Sequence, residues 1–257
     1  MPEAGISSAT TCFFEEEPTI GLWRRTFVEV VGTCFLTVAM VGSGIAVADR
    51  AKEEPLVASV IVAFAIAGSL VGLIIALGKV SGGHYNPLIT LSQWLSGERG
   101  VACTFAYLAG QLTGGLVGAT VADVMFGTFR SGAASADNLS MALLVSEGVA
   151  SAGLLTIVLG CGRSAKWETG PFAVGAWLTA AILATPSASY ANPAVTFAAI
   201  YATGAVALRP HTAACFIAAQ LVGMLLALAI NKIAFGRPIK GTQIATTAPH
   251  STEGGAI

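Results

Sequence analysis

The residues best placed to do chemistry in this sequence form two asparagine–proline boxes. They consist of Asn86, Pro87 and Leu88, and of Asn192, Pro193 and Ala194. Asparagine is a preferred helix cap, and proline suits the first helical turn because its missing N–H is not needed there. An asparagine amide at a helix start can also donate a hydrogen bond to the oxygen of a passing solute. One such box would indicate only a capped loop, but two copies in matching places indicate a functional pair.

The segments that must position these boxes are strongly apolar. Of the 257 residues, 54% are hydrophobic and only 11% are charged, a profile that soluble domains seldom show. The composition therefore predicts a polytopic membrane protein that lies among lipids. Because the net charge is −1 and no basic block is present, nucleic acid is not an expected partner.

Six apolar runs are long enough to cross a bilayer as helices, which takes about 20 residues each. They are 22–48, 56–80, 101–127, 139–161, 171–188 and 211–235. Each box begins a shorter segment, 86–97 or 192–203, that would be about 18 Å long as a helix, or about half a bilayer. The sequence therefore predicts an all-α membrane protein with six transmembrane helices and two re-entrant half-helices.

The distribution of basic residues predicts the orientation. With both termini in the cytoplasm, the inside has more Lys and Arg than the outside, as the positive-inside rule requires. The predicted inside set is Arg24, Arg25, Lys79, Arg99, Arg163, Lys166, Lys232, Arg237 and Lys240, and the outside set is Arg50, Lys52, Arg130 and Arg209. We expect flexible cytoplasmic tails over 1–21 and 237–257, a channel domain over 22–236, and location in the plasma (inner) membrane.

Three landmarks recur in the same order in 22–127 and in 139–236. Each segment has a glutamate early in its first span, then an asparagine–proline box, and finally a glutamine in its last span. The glutamates are Glu29 and Glu147, and the glutamines are Gln111 and Gln220. Three spans per repeat place the second repeat upside down relative to the first, so the two broken helices meet at the midplane. Non-helical backbone at that depth is tolerated where it lines a cavity, so the repeat predicts a pore.

Together with the Ser81, Gly82, Gly83 and His84 that lead into the first box, these landmarks resemble the aquaporin (major intrinsic protein) family over about 20–236. The resemblance implies a homotetramer with one pore per subunit. It also implies that Glu29 and Glu147 accept hydrogen bonds from the backbone of the re-entrant loops. We interpret His84 as a loop-packing residue, and Gln111 and Gln220 as interhelical hydrogen-bond partners.

Two half-helix starts that face one another would present opposed partial positive charges, a barrier to cations and protons. The family also has a constriction beside the boxes, which the resemblance assigns here to Ile66, Ser189 and Val195. The fifth-span member is either Ile182 or Ala180, depending on how a shorter loop is aligned. Val195 stands where most members have arginine, and Thr196 stands where glycerol-selective members have aspartate.

A filter without the arginine is expected to be wider and less polar. We therefore predict a passive channel for uncharged solutes larger than water: glycerol, urea, or metalloid acids such as arsenous and antimonous acid, with some water. One alternative is a plain water channel. A second is a proton-coupled transporter that uses Glu29 and Glu147, and a third is a purely structural tetramer.

Enzymatic chemistry is not indicated by the sequence. Its histidines, cysteines and carboxylates are scattered, without the spacing of a nucleophile, an acid–base pair or a set of metal ligands. We expect neither a metal nor a cofactor.

Overall fold

The computed structural model of the protein describes residues 20–128, 139–163 and 167–236. The regular elements in this part of the chain are helices. They are α1 (Leu22–Ala46), α2 (Arg50–Glu53), α3 (Pro55–Ser81), α4 (Pro87–Leu95), α5 (Val101–Met125), α6 (Met141–Cys161), α7 (Gly170–Ala184), α8 (Pro193–Ala198) and α9 (Pro210–Phe235), with 3₁₀ turns at Trp167–Thr169 and Gly204–Val206. The expected tails fall almost entirely outside the described residues, as do Arg130, Lys166, Arg237 and Lys240 of the orientation sets.

Five helices, α1, α3, α5, α6 and α9, are long and apolar enough to cross a membrane. The fifth predicted span, 171–188, was predicted to end too late, because α7 stops at Ala184 after 15 residues. Thr185 leaves the helix in an extended conformation, with φ −116° and ψ 138°. This is the conformation that a following proline favours, since the ring of Pro186 crowds a helical residue before it.

The two half-helices begin where the sequence predicts, but both are shorter than predicted. α4 has nine residues and α8 has six, which correspond to about 14 Å and about 9 Å. After α8 the chain turns back, and the backbone N–H of Leu208 donates to the carbonyl of Ala199 at 2.9 Å. This bond to the returning segment takes the place of a further helical turn.

Small residues bring helices of the same repeat into close contact. A Cβ atom at Gly114 of α5 would overlap the carbonyl oxygen of Val30 on α1. In the second repeat, a Cβ atom at Gly223 of α9 would overlap the carbonyl oxygen of Gly148 on α6. The absence of side chains at these crossings lets the backbones approach closely, as is common between membrane helices.

Contacts at the helix ends define two faces of the bundle. At one face, which we call the inner face, Arg25 near the start of α1 donates to the Tyr107 hydroxyl, which donates in turn to the carbonyl of Ser81 at the end of α3. At the opposite face, which we call the outer face, the 3₁₀ turn Gly204–Val206 packs against the end of α1 near Gly44. α4 and α8 lie between these faces.

Candidate pore and selectivity site

Each box asparagine caps its own half-helix through its side-chain oxygen. Asn86 Oδ1 accepts from the backbone N–H of Leu88 at 2.9 Å. Asn192 Oδ1 accepts from the N–H groups of Ala194 and Val195 at 3.1 and 3.5 Å. These bonds satisfy donors that a helix start leaves without a partner, so the short helices α4 and α8 have a defined first residue.

The side-chain nitrogens of the two asparagines connect the two boxes. Asn86 Nδ2 donates to the carbonyl of Ala191 at 2.8 Å, and Asn192 Nδ2 donates to the carbonyl of Tyr85 at 2.8 Å. We call this pair of bonds the cross-brace. Tyr85 and Ala191 both have positive φ, 46° and 41°, which is uncommon for residues other than glycine. Since an amide nitrogen has two hydrogens, each asparagine keeps a second N–H for a solute.

Behind the first box, the buried carboxylate of Glu29 accepts hydrogen bonds from the loop that leads into it. Glu29 Oε1 accepts from the Ser81 hydroxyl at 2.7 Å and from the backbone N–H of His84 at 3.0 Å. Its Oε2 accepts from the N–H of Tyr85 and from Gln111 Nε2, both at 2.7 Å. The carboxylate therefore fixes the re-entrant loop while it is itself fully buried.

Glu147 has the equivalent position behind the second box. Its Oε1 accepts from the N–H of Tyr190 at 3.0 Å, and its Oε2 accepts from the N–H of Ala191 at 2.9 Å and from Gln220 Nε2 at 2.7 Å. Glu147 is also fully buried. Neither glutamate lines the cavities described below, so both carboxylates hold loops rather than face the path of a solute.

Two threonines complete these networks, and sequence reasoning missed their role. Thr90 Oγ1 accepts from Gln111 Nε2 at 3.0 Å, and Thr196 Oγ1 accepts from Gln220 Nε2 at 2.8 Å. Thr196 also donates to the carbonyl of Asn192 at 2.8 Å. The signal that could have found the pair is their spacing, since each stands four residues after its box asparagine.

His84 packs inside the first loop. Its Nδ1 lies 2.9 Å from Thr90 Oγ1, and its ring meets the Tyr107 ring edge-on at 5.4 Å between centroids. The side chain is 1% exposed, and its Nε2 has no hydrogen-bond partner among the described residues.

A cavity of about 410 Å³ opens between the outer face and the cross-brace, and we call it the outer cavity. The structure brings Ile66, Ile182, Ser189 and Val195 together in its wall, with Asn86 and Asn192 at its deep end. Ala180, the other candidate of the fifth span, is exposed and does not line this cavity. The Ser189 hydroxyl is buried and has no hydrogen-bond partner in the described part of the chain.

The wall of the outer cavity is suited to uncharged molecules. Among the described residues, none with a charged side chain lines it. Within the same residues, no group of three His, Cys, Asp or Glu side chains could hold a metal ion. The polar groups that face the cavity are amides, hydroxyls and backbone, which exchange hydrogen bonds with a neutral solute but do not balance an ion's charge.

Two opposed half-helices, braced at their starts inside a bundle of apolar helices, define the class of this protein as a membrane channel with an inverted repeat. Comparisons with known proteins agree. Residues 16–187 match the family described as Major intrinsic protein. The chain belongs to the major intrinsic protein family, the aquaporin family, and is an integral multi-pass membrane protein that forms a channel for small solutes.

Individual relatives match over much of the chain. Aquaglyceroporin AqpS of Rhizobium meliloti (strain 1021) is 35% identical over 230 residues, which are 89% of this chain and 98% of the relative. Aquaporin C of Dictyostelium discoideum is 26% identical over 169 residues, 62% of this chain and 61% of the relative. The X-ray structure of the aquaglyceroporin from Plasmodium falciparum aligns with a TM-score of 0.62 at 16% identity, covering 84% of this chain and 96% of that one, and it supports the fold.

Proposed function

We propose that this protein is a passive channel for small uncharged solutes larger than water, with a wide apolar filter of Ile66, Ile182, Ser189 and Val195. The observation that supports this proposal most directly is the outer cavity, about 410 Å³ in volume and lined by those residues without a charged side chain among the described ones. A solute that sheds water there passes a largely apolar wall before it reaches the asparagines.

Val195 is the residue that distinguishes this filter. It is 4% exposed and projects a short branched side chain where an arginine would place a long cation with five N–H donors. The smaller, apolar side chain leaves the filter wider and removes the donors that would hold water. Glycerol, urea, and arsenous or antimonous acid are all neutral at physiological pH and offer hydroxyl or amide groups to the asparagines. The relative AqpS, 35% identical to this chain, is named an aquaglyceroporin, which supports a polyol-sized solute.

Exclusion of ions is assigned to the centre of the pore. With no arginine in the filter, the positive ends of α4 and α8 and the inward N–H groups of Asn86 and Asn192 oppose cations and protons. We further propose a homotetramer in the plasma (inner) membrane with both termini in the cytoplasm, so that the inner face is the cytoplasmic one.

Purified protein in liposomes tests the solute class. Stopped-flow light scattering measures the flux of water, glycerol and urea, and metalloid uptake is measured by elemental analysis of the recovered vesicles. We expect glycerol and at least one trivalent metalloid acid to enter faster than they enter empty liposomes. Flux of water alone would contradict the proposal and would favour the plain water channel. Flux of none of these would favour a structural tetramer.

The variant Val195→Arg tests the role of the filter. Because the longer side chain narrows the outer cavity and adds donors, it should reduce glycerol and metalloid flux more than water flux. The matched variant Val195→Ala keeps the position small and should keep glycerol flux at least as high as in the wild type. An equal loss of water and glycerol flux in a well-folded Val195→Arg protein would argue against a size filter at this position.

A further inference from the structure

The inverted repeat produces a second ring of residues that mirrors the outer filter. Ile89 stands three residues after Asn86, as Val195 stands three after Asn192, and Gly83 stands three before Asn86, as Ser189 does before Asn192. The two residues of each pair are therefore equivalent in the two repeats. Because the repeats are inverted, the two residues face opposite ends of the pore.

The helices that precede the boxes supply the other two pairs. Ile74 and Ile66 lie 12 and 20 residues before Asn86, and Ile182 and Val174 lie 10 and 18 residues before Asn192. The offset of two residues is the same for both pairs, so one alignment of the two repeats relates them. Ile74 is therefore equivalent to Ile182, and Val174 is equivalent to Ile66.

The structure brings these four equivalents together. A separate cavity on the inner side of the cross-brace, which we call the inner cavity, is lined by residues that include Ile74, Gly83, Ile89 and Val174. We call these four residues the inner ring. The two cavities share the side chains at their junction, and the shared residues are Leu36, Leu70, Asn86, Leu154 and Asn192. The inner ring therefore lines the next part of the path that a solute meets after the asparagines.

The inner cavity is far smaller than the outer one. Its volume is about 30 Å³, against about 410 Å³ outside the cross-brace. By this measure a cavity needs roughly 10–15 Å³ to hold one water molecule, so the inner cavity has room for about two. A glycerol molecule does not fit without movement of the ring. The side chains of Ile74, Ile89 and Val174 are all at least nine-tenths buried and pack on the core, so such movement has a cost.

The inner ring also differs from the outer filter in polarity. Where the outer filter has the Ser189 hydroxyl, the inner ring has Gly83, whose φ of 62° and contact with Gly78 leave little room for a side chain. The described residues with polar side chains at this level are His84, Tyr85 and the two box asparagines. A narrow apolar segment of this kind resists wetting.

We propose that the inner ring of Ile74, Gly83, Ile89 and Val174, rather than the outer filter, sets the largest solute that this channel passes. The proposal rests on the channel function proposed above. In this arrangement the solute loses water at the outer filter, and the inner ring then accepts or rejects it by width. The wide outer filter alone would admit solutes larger than those that cross.

Alanine variants in proteoliposomes test this assignment, with glycerol and the four-carbon polyol erythritol as probes and water as the reference. Ile74→Ala and Val174→Ala should each raise the flux of both polyols relative to water by about threefold or more, because each widens an apolar constriction. Ile75→Ala is the matched control, since it makes the same change at the neighbouring position of α3, where the side chain is 53% exposed. It should behave as the wild type. Ile182→Ala, the equivalent change in the outer filter, should give a smaller increase than either inner variant.

Folding is checked for every variant by its elution from a size-exclusion column. Where Ile74→Ala elutes abnormally, Ile74→Val removes a single methylene and should shift polyol flux in the same direction by a smaller factor. A larger increase from Ile182→Ala than from the inner variants, or unchanged polyol flux in well-folded inner variants, would overturn the proposal.

The two proposals fail in different ways. Wild-type protein that passes no solute contradicts the proposed function, but if Ile74→Ala then opens a polyol flux, the inner ring is still supported as the limiting constriction. If the Ile74→Ala and Val174→Ala proteins also pass no polyol, both proposals are overturned. Polyol flux through the wild type that responds to the outer variants alone supports the channel and rejects the inner ring.

Discussion

The side-chain nitrogen of Asn86 lies 2.8 Å from the carbonyl oxygen of Ala191, so the first box holds the loop of the second. The reciprocal bond from Asn192 to Tyr85 has the same length. The two repeats are therefore fastened to each other at the residues that a solute must pass, and the position of each asparagine depends on the other loop.

Substitutions of Asn86 should separate its cap from its part in the cross-brace. Asn86→Ala removes both and should lower the free energy of unfolding by about 2 kcal/mol or more, the sum of a lost cap and a lost buried hydrogen bond. Asn86→Ser keeps an oxygen that can cap α4 but has no amide to donate, so it should lose less. Thermal unfolding in detergent measures the order of stability of the two variants and the wild type. Equal losses for the two variants would contradict a separate contribution from the cap.

The two buried glutamates should differ in their importance for stability. Glu29 accepts four hydrogen bonds and Glu147 accepts three. Replacement by glutamine turns one acceptor oxygen of the carboxylate into an NH₂ group, which then faces other donors. Glu29→Gln should cost about 3 kcal/mol or more, and Glu147→Gln somewhat less. The exposed Glu53→Gln is the control and should change the unfolding temperature little. Unfolding temperatures of both buried variants at the wild-type value would show that the carboxylates do not hold the loops.

Close packing of α1 and α5 predicts a strong effect from one methyl group. Gly114→Ala would place a carbon into the carbonyl of Val30, so the helices must separate, at a cost of about 1–3 kcal/mol. Gly68→Ala on α3 is the matched control, because an added Cβ atom there has no neighbour within 4 Å. The measurement is the fraction of protein that remains monodisperse after heating. A Gly68→Ala protein as unstable as Gly114→Ala would indicate a general effect of alanine and not a local overlap.

Bulky substitutions decide which residue of the fifth span lines the outer filter. Ile182→Trp fills the wall of the outer cavity and should block most glycerol flux, whereas Ala180→Trp points away from it and should leave the flux close to that of the wild type. Proteoliposome swelling compares them directly. Block by the Ala180 variant with normal flux through the Ile182 variant would reverse the assignment.

Much of the fold could be predicted from the sequence, because the signals are local. Apolar runs of membrane length and the Asn-Pro starts gave the helices and their order, and Asn86 and Asn192 are observed as the caps of α4 and α8. The ends of these half-helices were predicted too far along the chain. A helix end buried in protein depends on tertiary bonds such as that from Leu208 to Ala199, which no local pattern contains. Thr185 and Pro186 did offer a local stop signal for α7, but the apolar run concealed it.

The candidate site was only partly accessible from sequence. The resemblance to the aquaporin family predicts Ile66, Ser189 and Val195 as filter residues, at positions located by counting from the boxes, and all three line the outer cavity. The cross-brace was not foreseen, because it joins a side chain to the backbone of a loop more than a hundred positions away. Equivalence of the repeats also indicates Thr90 and Thr196, because each stands four residues after its box asparagine.

Glycerol entry into proteoliposomes, followed with and without a collapsed proton gradient and over a range of temperature, tests the central claim most directly. A passive channel predicts entry that is faster than in empty liposomes, has a weak temperature dependence and does not change when the gradient is abolished. The buried glutamates face loops and not the outer cavity, which is the physical reason to expect no coupling. Entry that stops when the gradient is collapsed would contradict the channel and would favour proton-coupled transport through Glu29 and Glu147.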